Sequence, residues 1–226
     1  MPSKNPTSHI ESKMVGKNAT QKGKIPSIVL EDPKYARNVS QIVRLASGYD
    51  IEQVYFTGNR VDLEDPSKNL DGRSGKNRGK KGKGKARLPR EERMKGYQKV
   101  DICHHQRPFD CFPTNIPVIG IELREGAMPL QDFVHPENAI YVFGPEDGSI
   151  NRLARQCHQF VYIPVRHCLN LATAVSTIMW DRKLQLIKSG DIEVETMDQL
   201  LRGDRASLRM QDFEASDMLS DGGGRR

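Results

Sequence analysis

At 226 residues the chain has the length of one ordinary domain with tails, or of two small domains. With 36% hydrophobic and 28% charged residues it is too polar to be packed core throughout, so part of it is expected outside the fold. No run approaches the roughly 18 apolar residues that a membrane span requires. The N-terminal stretch MPSKNPTSHIESKMVGKN lacks the apolar centre of a secretory signal. Four cysteines in a chain of this length do not make a disulfide scaffold, so a reduced, cytoplasmic setting is expected.

The net charge of +6 is unevenly spread. Residues 1–67 carry nine Lys/Arg against eight Asp/Glu, residues 68–99 thirteen against three, and residues 100–226 thirteen against eighteen. The block opened by Lys68 and closed by Lys99 is rich in Gly and Lys and nearly free of apolar residues, so it cannot bury a core of its own. Charge at this density attracts polyanions through counterion release, and nucleic acid is the expected partner. An anionic membrane surface fits less well, because no apolar helical face accompanies the charge.

In chain order, residues 1–24 read as a basic tail without structure. IPSIVL (25–30) is a short apolar run suited to a buried strand. Glu31, Asp32 and Pro33 then form a loop and helix start, with acids near the positive helix end. Over 35–47, Val39, Ile42, Val43 and Ala46 recur at i, i+3, i+4 and i+7, which predicts a helix with one buried face, stopped by Gly48. QVYFT (53–57) reads as a second strand. Beyond the basic block, IPVIGIEL (116–123), AIYVF (139–143) and FVYI (160–163) read as three more. A helix is expected over 151–158 and a long one over 169–186, with Leu171, Val175, Ile178 and Met179 on one side. Strands alternating with helices predict an α/β domain over 25–188, a parallel sheet with helices on both faces. The remainder, 189–226, has helical spacing at Met197, Leu200, Leu201 and Leu208 and ends in a GGGRR tail.

In parallel sheets, ligands bind where strand C-terminal ends run into loops. Three such loops carry unusual residues: Asp32-Pro33 leading to Asn38 and Arg44, Gly144-Pro145-Glu146-Asp147-Gly148, and Pro164-Val165-Arg166-His167-Cys168-Leu169-Asn170. Neither G-x-x-x-x-G-K-[ST] nor G-x-G-x-x-G occurs. Cys103-His104-His105 with Cys111 matches no established zinc spacing, and no second carboxylate or histidine at suitable spacing makes Glu146 a metal ligand. Cys157-His158 and His167-Cys168 lack the third orienting group of a thiol nucleophile.

The segment N-V-S-Q-I-V-R (38–44) resembles the first motif, N-x-G-x-x-x-R, of the SpoU/TrmH RNA ribose methyltransferases. V-F-G-P-E-D-G (142–148) resembles their second motif, and Ile163-Pro164 with C-L-N-L-A-T-A (168–174) their third. Three motifs in order, over roughly 25–188, are together a specific signal. The resemblance implies the SPOUT fold with a C-terminal trefoil knot, a homodimer, S-adenosyl-L-methionine as cofactor, and methyl transfer to a ribose 2'-hydroxyl of structured tRNA or rRNA. It also implies Arg44, Asn38, Glu146 and Asn170 as catalytic residues. Glu122, Gly144, Ile163, Cys168 and Leu169 are implied around the cofactor, largely through backbone groups. Arg44 would grip a phosphate and stabilise a developing alkoxide, since a guanidinium is a poor general base. Glu146 would accept hydrogen bonds from Arg44 or from loop amides, and Asn170 would cap a helix. Ser40 replaces the glycine of the first motif, and Cys168 the serine that usually opens the third. Two alternatives stay open: a catalytically silent RNA-binding or assembly factor on the same scaffold, and a base methyltransferase of the wider SPOUT group.

Overall fold

The computed structural model describes residues 25–62 and 100–200; the basic block 68–99, the N-terminal tail and the last residues of the C-terminal extension lie outside them. Seven strands form one sheet: β1 (Ser27–Leu30), β2 (Gln53–Phe56), β3 (Asp101–His104), β4 (Val118–Ile121), β5 (Met128–Pro129), β6 (Ile140–Phe143) and β7 (Gln159–Tyr162). Their order is β3-β2-β1-β6-β4-β7-β5, and every pairing is parallel. The apolar runs of β1, β2 and β6 are buried at every position, as strands covered on both faces require. The sequence pattern does not announce β3 or β5. β3 (DICH) is a polar edge strand that exists because β2 offers it a ladder, and β5 is two residues long and closes the opposite edge.

Alternation along the strands sends Ile28, Leu30, Val54, Phe56, Tyr141 and Phe143 into one core. Helix α1 (Ala36–Gly48) contributes Val39, Ile42, Val43 and Ala46 to that core, and helix α2 (Leu171–Ser189) contributes Leu171, Ala172, Val175, Ile178 and Met179. The other face carries Val29, Tyr55, Ile140 and Val142, covered by Phe109, Phe112, Ile150 and Leu153. Here the expectation of helices on both faces needs adjusting. Among the described residues both long helices pack on one face, and the other is closed by 3-10 turns at Pro108–Cys111 and Ala154–Gln156. The helix expected over 151–158 is only the second of these turns. The amides that lead into this turn are held by side chains from two strand ends, described below.

Helix α1 ends differently from its sequence signal. Gly48 is its last residue, and the left-handed position is Asp50 (φ 57°). The Ile51 amide donates to Ala46 O at 3.0 Å, and both residues are buried, the pattern of a Schellman closure with its apolar contact.

Residues through Gln185 make one compact unit and those from Leu186 onward a second. In the second, Thr196 and Gln199 form a reciprocal capping box around the short helix α3 (Met197–Leu200): the Gln199 amide donates to Thr196 Oγ1, and the Thr196 amide to Gln199 Oε1. No helix among the described residues is long and apolar enough to cross a membrane.

Candidate functional site

Because every strand is parallel, the segments leaving β1, β4, β6 and β7 emerge along one edge of the sheet. Those leaving β4, β6 and β7 enclose a cleft of about 400 Å³, within the size range of small-molecule sites. Glu122 and Leu123 from the end of β4 line it, as do Gly144, Pro145, Glu146 and Gly148 after β6, and residues 163 and 165–169 after β7. All five residues implied as cofactor contacts, Glu122, Gly144, Ile163, Cys168 and Leu169, are in this lining. Its exposed lining is mixed, with the apolar side chains of Leu123 (73% exposed), Val165 and Leu169 beside the polar ones of Arg166 and His167.

Gly144 is fixed by close approach. A Cβ there would lie 2.9 Å from the Ile150 backbone nitrogen, so a side chain would push apart the two arms of the loop. That loop is also held from outside. Glu31, 3% exposed at the end of β1, accepts hydrogen bonds from the backbone amides of Asn151 (2.8 Å) and Arg152 (2.7 Å). Glu122 accepts one from the Ile150 amide at 2.8 Å. Two carboxylates thus hold three consecutive amides with charge-assisted bonds. In the sequence Glu31 reads only as an acid near a helix start. Its only signal was a carboxylate directly after a fully apolar strand, where an unpaired charge is costly.

Three residues from the three motifs form a chain. Asn38, 1% exposed in the first turn of α1, donates through Nδ2 to Glu146 Oε1 at 2.6 Å. Asn170 donates through Nδ2 to Asn38 Oδ1 at 3.1 Å. Asn170 Oδ1 accepts from the amides of Ala172 (2.9 Å) and Thr173 (3.4 Å), capping α2. Glu146 Oε2 accepts from the Lys34 amide at 2.7 Å. The acids at the start of α1 are therefore not Glu31 or Asp32, since its first turn has none. A carboxylate from the β6 loop takes their place near the helix N-terminus.

Arg44 is not a donor to Glu146. It lies six residues beyond Asn38, about 120° around the helix from it and on the side away from the buried stripe. It is exposed and forms no ion pair among the described residues. Arg37, Gln41 and Arg44 share this exposed face, with the Arg37 guanidinium 5.0 Å from the Tyr35 ring.

A second ionic group joins the same loops. Asp147 pairs with Arg60 Nη1 (2.8 Å) and Lys34 Nζ (3.0 Å), and Arg60 Nε also pairs with Asp32 at 3.0 Å. Arg60, then Lys34, hold the Asp147 carboxyl down at about 2. The four cysteines are free thiols. Burial pushes Cys157 up to about 12, which makes it an unreactive packing residue. Cys103 lies within β3 and Cys111 ends a 3-10 turn; among the described residues no group of three His, Cys, Asp or Glu is disposed to hold a metal ion.

No protein-family model and no curated protein matches the sequence. Solved structures do match. One, from work on the 2-OH methylation of C/U34 on tRNA, aligns with a TM-score of 0.54 at 19% identity over 72% of this chain and 96% of its own. The SpoU methyltransferase AviRb from Streptomyces viridochromogenes, in complex with AdoMet, aligns at 0.53 and 17% over 75% of this chain. The present chain spans 64% of AviRb, just under two thirds. The TrmH/SpoU tRNA modifying enzyme of A. aeolicus aligns at 0.54 and 14%, over 85% of this chain and 94% of its own. At these identities the likeness is one of fold: the chain has the α/β architecture of the SpoU/TrmH structures.

Proposed function

We propose that this protein is an S-adenosyl-L-methionine-dependent RNA methyltransferase that acts on a ribose 2'-hydroxyl of tRNA or rRNA, as a cytoplasmic homodimer with the threaded C-terminal segment of the SPOUT fold. The observation that carries the reading is convergence. Five residues named from motif resemblance alone line one cleft, and three others, Asn38, Glu146 and Asn170, form an unbroken hydrogen-bond chain among α1, the β6 loop and the start of α2.

The cleft suits the cofactor in size and in its mix of apolar and polar lining, and Gly144 lets the two arms of one of its loops close on each other. Bound there, S-adenosylmethionine would supply an electrophilic methyl group. Glu122, through the Ile150 amide, and Glu31, through Asn151 and Arg152, keep the loop rigid, so the chain spends no binding energy ordering it. Glu146 and Asn170 set the positions of the β6 loop and the α2 start, which form two walls of the site. Arg44, exposed and without an ion pair among the described residues, would meet a phosphate or an alkoxide from RNA, and its place on an exposed helix face agrees with a role towards a macromolecule. The basic block between Lys68 and Lys99 would add affinity for the RNA backbone.

Transfer of label from the cofactor to cellular RNA, followed by nucleoside analysis, tests the reading. Ribose-methylated products are expected from the wild type. Arg44→Ala should lose about 100-fold or more in kcat, the cost of removing one charge-stabilising donor, with thermal stability unchanged. Equal transfer by wild type and variant, or base-methylated products, refutes it. Cys168, at the cleft wall in place of serine, is the one feature favouring a silent RNA-binding scaffold; calorimetric binding of the cofactor at micromolar affinity would exclude that alternative.

A further inference from the structure

Arg60 belongs to none of the three motifs, yet it ties the loops after β1 and β2 to the loop after β6, which walls the cleft. It follows β2 by four residues, and its guanidinium reaches two other strand ends at once. Nε pairs with Asp32 Oδ2 after β1 (3.0 Å), Nη2 donates to the Asp32 carbonyl, and Nη1 pairs with Asp147 Oδ1 after β6 (2.8 Å). Lys34 Nζ holds the second Asp147 oxygen at 3.0 Å. The approach is close: Gly58 sits at φ 77° with Asp32 against its Cα, a position that admits no side chain, and the Asp32 amide donates to Thr57 Oγ1 at 3.1 Å. The residue before Asp147 is Glu146, whose carboxylate receives Asn38 and the Lys34 amide and which faces the cleft.

We infer that Arg60 is a positioning residue of the cleft, fixing the Gly144–Gly148 turn through Asp147 so that Glu146 reaches α1 and the cofactor wall is formed before the cofactor arrives. The other arm of the same loop has its own anchors, Glu31 and Glu122, so Arg60 governs the first half of the loop alone. The ion pairs are partly exposed, which bounds the effect and makes it sensitive to salt.

The inference rests on the methyltransferase reading only for its cofactor arm; its structural arm is independent. Amide exchange measured by NMR on the full chain reads the structural arm. In Arg60→Gln the Lys34 amide, bonded to Glu146, should exchange about fivefold faster, while the Asn151 and Arg152 amides, bonded to Glu31, keep their wild-type rates. Asp147→Asn should reproduce the pattern, and the double variant should be no worse than either single one. Arg60→Lys, which keeps one charge but cannot span both acids, should fall between. Calorimetry with S-adenosylmethionine reads the other arm: Kd should rise about fivefold in Arg60→Gln and approach the same value in wild type at 1 M salt.

Unchanged exchange at Lys34, or equal acceleration at Lys34, Asn151 and Arg152, overturns the inference, the second because it marks general loosening. A wild type that binds no cofactor, with selective exchange at Lys34 still observed, would refute the functional reading and leave the positioning role standing.

Discussion

Removing the Glu31 carboxylate tests the claim that buried acids hold the loop after β6. Glu31 accepts charge-assisted bonds from the Asn151 and Arg152 amides, at 2.8 and 2.7 Å, from a position 3% exposed. Bonds to a charged partner contribute about 1.5–3 kcal/mol each, which sets an upper range of about 3–6 kcal/mol for losing both. Asn151 and Arg152 are exposed residues, however, and water can reach their amides once the carboxylate is gone. The lower part of the range therefore applies, about 3–4 kcal/mol for Glu31→Ala. Glu31→Gln keeps one acceptor oxygen but turns an NH2 group toward the other donor, so about 2 kcal/mol is expected. Against a total stability of about 5–15 kcal/mol either change is easily measured. Urea unfolding followed by far-ultraviolet circular dichroism is the suitable assay, because the single tryptophan, Trp180, is half exposed and reports poorly on the core. Glu125→Ala, an exposed acid, is the control and should stay within about 0.5 kcal/mol of wild type. A Glu31→Ala variant within about 1 kcal/mol of wild type at equal m-value would refute the reasoning.

His135 is buried, with Nδ1 on Tyr141 Oη (2.8 Å) and Nε2 on Asp181 (3.1 Å); burial, opposed by Asp181, pulls it down to about 4. The unfolded chain takes up this proton first, so stability is full above about pH 6.5 and declines as pH falls toward 4. Asp147, held near 2, loses its contribution only between about pH 3.8 and 2. A melting temperature that does not fall between pH 7 and 4.5, or that falls equally in His135→Gln, would contradict this. Asn170→Ala should lose the cap of α2, about 1 kcal/mol, whereas Asn170→Asp keeps a capping oxygen but cannot donate to Asn38. The aspartate variant should therefore also lose about 1–3 kcal/mol, because the buried Asn38 oxygen is left without its donor; melting of Asn170→Asp at the wild-type temperature would remove the Asn38–Asn170 link from the chain.

Periodicity and composition alone determined a good deal about this chain. The apolar runs of β1, β2, β4, β6 and β7 are long enough, and bare enough of charge, to be strands covered on both faces. The buried stripes of α1 and α2 follow directly from the helical period. Resemblance to the SpoU/TrmH motifs, beyond periodicity and composition, named Asn38, Glu146 and Asn170, whose side chains are hydrogen-bonded in a chain. What depends on neighbours far along the chain was decided only in three dimensions. β3 is a strand because β2 is beside it. Within residues 151–158, where a helix was expected, only a 3-10 turn at Ala154–Gln156 forms, and the amides just before it are held by Glu31 and Glu122 from more than 25 residues away. Asp50 rather than Gly48 turns the chain after α1, where the buried Ala46–Ile51 contact sets the closure. Arg60, Asp32 and Asp147 carry no motif, and their partnership arises because a parallel sheet delivers the ends of β1, β2 and β6 to the same edge. A hydrophobic period is a local property and can be read along the chain; an ion pair between loops is a property of the sheet order and cannot.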